Sequence, residues 1–392
     1  MSNADRIRVS IVEETTFGVI PTSPAWQILE TTGQTMRDRM GYQESQTIRN
    51  DRNVPDLIRL SKAAGGGLPI ELRYGTEDEA LDLLLAAVMC QSSWTILSQV
   101  ASCTTTAAAK TITRASGSFV TDEIEVGDII NTSGATPAGD NGYFRVTNVT
   151  ALTLTVAADA NFTGSSGNVL VTRGARLKNG TAERSFSVEV ARLDKQIAQV
   201  FSGCTVDTVD FNVSDGAITT ANISLQGASS TRYTSNNGTT DEFGTGSTYG
   251  SATVAPVLDS IAVPEVRSGG ATAAVKSVQM TLANNVVART QVGAEGPQSM
   301  RYGRFTASGR LTAYLDDFSE IGAYADNTAS DLWMAMIDVN RNGYSISFPE
   351  LKYSDAGADT SGPNQDDLLE LSATAILDAT ELCTVRLQRW DP

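Results

Sequence analysis

The sequence of 392 residues contains no histidine. This absence excludes a Ser-His-Asp triad, a Cys-His dyad and histidine-ligated zinc or haem. Cysteine is also scarce: the chain has four, Cys90, Cys103, Cys204 and Cys383, and none forms a Cys-x-x-Cys pair. This spacing favours isolated thiols in a reducing compartment over a disulfide framework or a cysteine-ligated zinc site.

Long apolar runs are missing as well. No stretch approaches the ~18–20 apolar residues that a membrane-spanning helix needs. The first six residues, Met-Ser-Asn-Ala-Asp-Arg, are polar and lack the apolar core of a signal peptide. We therefore expect a protein that is made and kept in a cytoplasm and does not bind membranes.

Positive charge is in short supply. The 29 Lys and Arg residues stand against 45 Asp and Glu residues, which gives a formal net charge of −16. This balance argues against sequence-independent binding of nucleic acid, because such binding replaces the phosphates' counterions with Lys and Arg. It still allows nucleic acid to lie beside the protein without being gripped. At 41% hydrophobic residues the chain can bury real cores, and its length predicts two or three domains.

Alternation of apolar and polar residues predicts a mainly β fold with a few helices. We expect strands over 7–12, 68–74, 110–113, 129–131, 143–149, 152–156, 186–193, 206–213, 218–225, 275–282, 309–315, 344–348, 368–376 and 384–387.

Two segments carry helical spacing instead. Residues 76–90 are expected to form a helix that Thr76 caps, with Glu79 completing a capping box. Residues 328–337 are also expected to be helical, because Leu332, Trp333 and Met336 recur at helical intervals.

Changes in composition suggest the domain organisation. Residues 15–64 are polar and predict an extended arm or long loop. Residues 95–173 are rich in Thr, Ala, Gly and Asn and predict an inserted small all-β module. The Gly/Ser/Thr-rich stretch 229–249 is the best linker candidate. We therefore expect a first domain of residues 1–94 and 174–255, the inserted module over 95–173, and a second domain of residues 256–392.

The two halves share an order of elements, which suggests an internal repeat. Leu68–Cys90 followed by Asn179-Gly180 corresponds to Gly309–Ile337 followed by Asn342-Gly343. The second copy lacks the insertion.

Motifs that would carry chemistry are weak. Asp338-x-Asn340-x-Asn342-Gly343 matches the first half of a calcium-binding loop, but Pro349 stands where the bidentate glutamate belongs. We favour an Asn-Gly turn there. An acidic stretch is expected to be a solvated connection; it contains Asp355, Asp359, Asp366 and Asp367. We expect no catalytic residue, no metal and no cofactor.

The predicted strands carry small polar residues opposite their apolar face. These polar residues are Asp210, Asn212, Ser214, Asn222, Ser224, Glu370 and Ser372. Such strands suit a sheet with one solvated face, and its exposed edges must be paired with something. Pairing between subunits in a closed ring would meet this need, and an ordinary sandwich with a wet outer face fits the same pattern.

Several segments in order along the chain resemble a known family. They are Val12–Pro24, Ser45–Arg52, Ile70–Gly75 with the helix that follows, Lys178–Glu189 and Gly303–Leu315. Together they resemble the major tail tube proteins of long-tailed, non-contractile (siphovirus-type) bacteriophages.

The resemblance implies a structural, non-enzymatic virion protein. It implies two tail-tube-type β-sandwich or barrel domains, each flanked by a helix, with residues 95–173 as a decoration. Subunits of this family form stacked rings around a lumen through which DNA passes without specific binding. The internal repeat favours a trimeric ring with pseudo-six-fold symmetry over a hexamer. The implied partners are further copies and the tape measure, tail terminator and distal tail proteins, and the implied location is the virion tail, assembled in the host cytoplasm.

Within this interpretation the seven polar strand residues are lumen-facing candidates, because a polar and acidic lining repels phosphate. Five arginines in the arm are candidates for contacts between rings; they are Arg37, Arg39, Arg49, Arg52 and Arg59. Two alternatives remain. One is an adhesin or carbohydrate-binding protein whose insertion carries the activity, and the other is a carboxylate-based glycosidase, which needs an acid-base pair in a cleft.

Overall fold

The structure is a computed structural model. It describes residues 6–51, 53–74, 79–96, 99–157, 162–165, 168–236, 242–244, 246–251, 255–258, 265–269, 271–272, 274–315, 318–339, 342–359, 362 and 366–390. The described part is mainly β, which confirms the predicted fold class. None of its helices is long and apolar enough to cross a membrane.

The bounds of the elements follow the chain. The first segment contains β1 Ile7–Glu13, β2 Ala25–Leu29, β3 Arg37–Glu44, β4 Leu57–Glu71 and α1 Ala80–Val88. The insertion contains β5 Val100–Thr106, β6 Thr111–Arg114, β7 Ile129–Ser133, β8 Gly142–Val149, β9 Thr153–Val156 and β10 Val169–Arg173. Then come β11 Ala175–Lys178, β12 Phe186–Arg192, β13 Ile197–Ser214, β14 Thr220–Gly227, β15 Ser229–Tyr233 and β16 Thr248–Tyr249.

The remaining elements belong to the second half of the chain. They are β17 Glu265–Ser268, β18 Ala271–Thr272, β19 Val275–Ala283, β20 Val287–Arg289, β21 Ser299–Arg301, β22 Thr306–Tyr314, α2 Ser319–Ala325, β23 Ser330–Ile337, β24 Gly343–Asp359, β25 Leu368–Ala375 and β26 Arg386–Trp390.

A long antiparallel sheet runs through both halves. Its eight strands lie in the order β3-β4-β14-β13-β19-β22-β25-β24. Alternation along β13 buries Val209, Phe211 and Val213 on one face of this sheet. The other face is partly or fully exposed.

Two shorter sheets form a second layer. One has the order β2-β1-β12-β13-β15, and the other has the order β11-β26-β24-β23-β17. The strands β13 and β24 are long enough to take part in both layers. One buried apolar cluster joins both halves, and α1 contributes to it. The predicted division into two tube domains stays a prediction.

The strand pairings of the first half recur in the second. The first set is β3-β4-β14-β13 with β1-β12-β13-β15, and the second is β19-β22-β25-β24 with β17-β23-β24-β26. The irregularities match too. The register shifts between Val206 and Thr208 in β13 and between Tyr353 and Asp355 in β24, and in both cases the pairing resumes opposite a serine.

The helix expected over 328–337 is wrong, because these residues form β23. The segment is buried continuously from Leu332 to Met336, since both faces of β23 are covered. A short apolar run buried on both faces carries no period that separates strand from helix. The helix of this half, α2, lies earlier in the chain.

The expected match between the two Asn-Gly turns is also wrong. Asn342-Gly343 follows β23, whose counterpart is β12, whereas Asn179-Gly180 precedes β12. The repeated unit is defined by its pairing partners, which a comparison of turn residues does not detect.

The arm expected over 15–64 contains three strand segments. It contains β2 and a β-hairpin of β3 and β4, and Gly65, Gly66 and Gly67 lie inside β4. A methyl group at Gly66 would overlap the backbone of Thr35 and lie 2.5 Å from the Met36 nitrogen. The glycines therefore allow the edge segment to approach β4 closely.

Smaller expectations also change. Glu79 is the N-cap residue of α1 and makes no side-chain capping bond, so it does not complete a capping box; Thr76 lies outside the described residues. The predicted linker, residues 229–249, begins with β15, which pairs with β13. Asp355, expected in a loop, lies in β24.

The strands β5 to β10 close into a six-stranded barrel with its own apolar core. The barrel is seated on the second half. The Ile129 amide donates to Gln388 Oε1 at 2.8 Å, and Gln388 Nε2 donates to the Ile129 carbonyl at 2.6 Å. Trp333 Nε1 donates to the Gly127 carbonyl at 3.1 Å, and Ile129, Trp333 and Trp390 pack in one apolar cluster.

Candidate functional site: the polar face and open edges of the long sheet

The exposed face of the long sheet carries the polar residues that the sequence singled out. Asp210 lies opposite Asn222 of β14 and opposite Thr281 of β19. The Thr281 hydroxyl donates to Asp210 Oδ1 at 2.7 Å. Thr208, two residues before Asp210, lies opposite Ser224. Polar rows therefore cross the junction between the two halves.

The same face continues over β22 and β25. Arg310 lies opposite Ser372 and opposite Gln279, while Glu370 lies opposite Thr312. Arg310 Nη2 donates to Glu370 Oε2 at 2.8 Å. The two side chains are 59% and 50% exposed. Solvent screening leaves such a pair worth ~0–1 kcal/mol.

The alternation places all seven predicted residues on this one face. They are Asp210, Asn212, Ser214, Asn222, Ser224, Glu370 and Ser372. That this face lines a lumen stays a prediction. The sequence reading missed the polar residues of β19 and β22 that complete the rows, although Gln279/Thr281 and Arg310/Thr312 alternate with apolar residues in the same way.

The charge of the face is mixed. Arg310 pairs with Glu370 in the middle of the sheet, where Asp210 also lies, and Arg37 and Arg39 occupy the outermost strand, β3. Asp355 lies on β24 at the opposite end. The face is thus polar with charges of both signs, whereas the sequence suggested a lining of polar and acidic residues without cations.

Two edges of the long sheet are open. Beyond Leu351, β24 pairs only with β25 among the described strands, so one edge of residues 352–359 has no partner strand. At the other end, β3 pairs only with β4 within the described part. The edge extends back to Thr32, whose amide donates to the Pro69 carbonyl at 2.9 Å, and Thr35 donates to Gly67 at 3.0 Å. Unpaired edges are surfaces for strand addition.

The described arm arginines are spread along the β3–β4 hairpin. Arg37 and Arg39 lie on β3 beside the long sheet. Arg49, near the hairpin tip, holds Asp51 through two hydrogen bonds of 2.9 and 2.7 Å. Arg59 pairs with Glu295 at 3.0 Å. Arg52 lies outside the described residues.

The outer part of the β3–β4 hairpin exposes apolar side chains. Ile48 is 98% exposed and Leu60 is 58% exposed. Other exposed members are Tyr42, Val54, Leu57 and Ile58. We call these six residues the hairpin patch. A concentration of exposed apolar residues on one element marks an interaction surface.

The two helices differ in how they are covered. In α1 eight of the nine residues are buried, whereas α2 has no buried residue. Asp82 of α1 forms a buried ion pair with Arg389 Nη1 at 2.5 Å and accepts a hydrogen bond from the Tyr344 hydroxyl at 2.9 Å. Both partners belong to the second half, so α1 is held at the junction of the halves.

Buried carboxylates are occupied by structural hydrogen bonds. Glu14 accepts from the amides of Gly18 and Gly203 and from the hydroxyls of Ser185 and Ser187, at 2.7–2.8 Å. A carboxylate with four donors is a fixed structural acceptor.

The buried Glu189 carboxyl accepts hydrogen bonds from two side chains. Burial raises its pKa, while the Tyr249 hydroxyl at 2.8 Å and Arg8 at 3.0 Å act in the opposite direction. Tyr249 and Arg8 thus stabilise the ionised form that burial disfavours.

The four cysteines are buried, and none of them forms a disulfide. Burial raises the pKa of the Cys90 thiol to about 11 and that of Cys383 to about 12. Burial also raises the pKa of Cys103 and of Cys204. Thiols with raised pKa values are poor nucleophiles, because the thiolate is the reactive form.

The sequence that resembles a calcium loop lies between β23 and β24. Asp338 Oδ1 accepts from the Asn342 amide at 2.8 Å, and Asp338 Oδ2 accepts from the Asn342 side chain at 3.0 Å. Asn340 lies outside the described residues. Among the residues that are described, no group of three Cys, Asp or Glu side chains is arranged to hold a metal ion.

A buried charge cluster holds the barrel against the rest of the molecule. Glu125 of the barrel contacts Arg176 at 3.0 Å, Lys178 at 2.6 Å and Arg386 at 3.1 Å. Burial alone would raise the pKa of Glu125, but the three cations together lower it below its ordinary value. The cluster joins the insertion to β11 and β26.

A protein-family model described as phage tail tube protein matches residues 4–375. The chain belongs to the phage tail tube protein family. A comparison with curated proteins finds no match. As a member of this family, the chain is a structural component of the phage virion tail, and it associates with copies of itself and with other tail proteins. The polar face and the open edges are therefore features of a subunit that works in an assembly.

Proposed function

We propose that copies of this chain close into a ring whose lumen is lined by the polar face of the long sheet, and that such rings stack into the tail tube. The observation that carries this proposal is the eight-stranded sheet with one buried face, one polar face and an open edge at each end. A sheet of this kind removes its edges when identical subunits join into a closed barrel.

The repeated pairing favours three chains per ring. Each chain contains the four-strand unit twice, as β3-β4-β14-β13 and as β19-β22-β25-β24. Three chains of eight strands each supply twenty-four strands in six similar units. The ring then has three-fold symmetry with pseudo-six-fold geometry, which supports a trimer over a hexamer.

The lining lets DNA pass without being held. Small neutral groups such as Ser372 and Asn212 dominate the face, and Arg310 is neutralised by Glu370. Binding that does not depend on sequence needs several free cations per site, which this face does not concentrate. The net charge of −16 adds a general repulsion between the protein and phosphate.

Stacking of rings is assigned to the β3–β4 hairpin. Its patch of six exposed apolar residues extends beyond the part of β4 that pairs with β14, and Arg49 lies near the tip. Burying the patch against the next ring supplies an attraction that can overcome the repulsion between acidic rings. Arg49, Arg52 and Arg59 remain candidates for contacts between rings.

The assembled tube is placed in the virion tail, built in the host cytoplasm, with the tape measure protein inside it and the tail terminator and distal tail proteins at its ends. The protein performs no catalysis in this role.

Electron microscopy of the purified protein tests the proposal. We expect rings with three-fold symmetry and stacked tubes. Ile48→Asp or Leu60→Asp should abolish the tubes and leave the rings, because each places a charge in the hairpin patch. Val120→Asp, at an exposed apolar position on the barrel, is the matched control and should still give tubes. Monomers alone under every condition would contradict the proposal.

A further inference from the structure

We infer that the open edge of β24 pairs antiparallel with the β3 edge of the next copy, in a register that places Asp355 opposite Arg39. This inference rests on the proposed ring, and it names the strands and side chains that form the contact between neighbouring subunits within one ring.

The junction inside the chain supplies the template. Strand β13 is paired with β12 along its first part, and β19 takes over the same edge along its last part, from Thr208 to Ser214. Strand β24 is paired with β23 along its first part, up to Leu351. Residues 352–359 of β24 then have no described strand at the position where β19 lies on β13. The second half thus has the strand arrangement of the first half but lacks a described strand at the position that β19 fills there.

The register shifts align β13 with β24 residue by residue. After the shift Thr208 lies opposite Ser224, and Asp355 lies opposite Ser372. Thr208 therefore corresponds to Asp355, and Asp210 corresponds to Gly357.

The same comparison aligns β3 with β19. Ser224 lies opposite Gly67, which is bonded to Thr35. Ser372 lies opposite Arg310, which lies opposite Gln279. Thr35 therefore corresponds to Gln279. Two and four residues further along, Arg37 corresponds to Thr281 and Arg39 to Ala283.

The internal register then predicts the external one. Thr208 lies opposite Ala283 in the chain, so Asp355 is placed opposite Arg39 of the next copy. Asp210 lies opposite Thr281, so Gly357 is placed opposite Arg37. Asp355, Arg37 and Arg39 are all exposed, and none forms an ion pair with another described residue. Opposite charges that face each other across a strand pair stabilise it.

The surroundings of the open edge also lack a neighbour. Phe211 is 3% exposed beneath the internal junction, whereas its counterpart Ala358 is exposed. The helix α1 is covered by Tyr344 and Arg389 of the second half, whereas α2, which packs beside β24, has no buried residue. A second copy, seated as the second half is seated on the first, would cover both.

Charge reversal tests the pairing. Asp355→Arg and Arg39→Asp each place like charges opposite each other where β24 of one subunit pairs with β3 of the next. Since all three such contacts of the ring are weakened, we expect ring formation to need at least about tenfold more protein. The double variant Asp355→Arg/Arg39→Asp should restore assembly near the wild-type concentration. Thr121→Arg on the barrel is a control for added positive charge. Analytical ultracentrifugation measures the shift.

Cysteine pairing tests the register. Residues that face each other across antiparallel strands have Cα atoms ~4.5–5.5 Å apart, within the range of a disulfide. Asp355→Cys/Arg39→Cys should therefore give covalent trimers under mild oxidation, while Asp355→Cys/Gly41→Cys should not. The native cysteines are buried and should stay unreactive.

The outcomes separate this inference from the proposed ring. Cross-linking that prefers position 41 would overturn the register. Rings that form but ignore both charge reversals and give no cross-link would overturn the edge pairing and leave the ring intact. A wild-type protein that forms no ring at all would overturn both. Rescue by the double variant together with cross-linking at position 39 supports the inference.

Discussion

The internal junction of β13 with β19 and the open edge of β24 are the same structural position in two copies of one strand unit. At the first, a neighbouring strand is supplied by the chain itself, and Phe211 beneath it is buried. At the second no described strand is present, and the equivalent Ala358 is exposed. A chain with two copies of the unit therefore pairs the edge between them internally and leaves a complementary edge at each end. Complementary edges at the two ends allow identical chains to assemble.

The difference in side-chain size at this position has a consequence for the free subunit. Phenylalanine at the internal junction fills a core, whereas alanine at the open edge exposes little apolar surface before assembly. Small and charged residues at an edge limit indiscriminate strand pairing. The open edge of β24 follows this rule with Asp355, Ala356 and Ala358.

The largest expected effect comes from removing the aromatic side chain beneath the internal junction. Phe211→Ala should lower the free energy of unfolding by about 3–5 kcal/mol, because it removes a buried aromatic side chain and leaves a cavity. Ala358→Ser, at the equivalent exposed position, should change it by less than about 0.5 kcal/mol in the monomer. Urea unfolding followed by circular dichroism measures both. Equal effects would contradict the difference in burial between the two positions.

A comparable effect is expected at the helix that the junction covers. Asp82→Ala leaves Arg389 buried without its carboxylate, which should cost about 3–5 kcal/mol. Glu320→Ala, on the exposed helix α2, should stay within about 0.5 kcal/mol. Differential scanning calorimetry would show a lowered transition for the first variant alone. A stable Asp82→Ala protein would contradict the role of this ion pair.

A smaller effect concerns the glycine that lets the edge segment approach β4. Gly66→Ala should cost about 1–3 kcal/mol, because the new methyl group meets the backbone of Thr35 and Met36. At the equivalent position in β22, Gly309→Ala meets the side-chain ends of Leu332 and Phe348 at 3.3 Å. These can shift, so we expect a lower cost there. Chemical denaturation of the two variants side by side checks the order.

The smallest expected effect is on pH dependence. The folded-state pKa of Glu125 lies below its ordinary value of 4.5, so its ionised form stabilises the docked barrel above that pH. This contribution is lost as the pH falls below 4.5 towards the folded-state pKa. Glu125→Gln should therefore reduce the loss of thermal stability between about pH 5 and pH 3. An unchanged pH profile would show that the cluster does not couple the barrel to β11 and β26.

Local patterns were sufficient for strands that have one buried and one polar face. The alternation along 206–213 and 368–376 predicted strands with one polar face, and the structure places those polar residues together on the long sheet. Alternation in the sequence predicts the two faces of a strand because successive side chains of any strand point to opposite faces. The mainly β class and the resemblance to tail tube proteins followed from such local information.

Local patterns failed where burial or pairing was decided elsewhere in the molecule. Residues 330–337 form a strand because both of its faces are covered. The strand expected over 68–74 begins already at Leu57, because its first part pairs with β3. The mixed charge of the polar face was equally hidden, since Arg310 reaches it only through the registers of β22 with β19 and β25.

The sequence by itself therefore determined the class of the fold, the two-faced character of the strands and the absence of histidine chemistry. Only the tertiary structure decided which strands are neighbours, which edges stay open and which charges lie at them. The physical reason is that alternation is set by backbone geometry within one strand. Register and neighbours depend on contacts between residues far apart in the chain, and a shift of one residue exchanges the two faces.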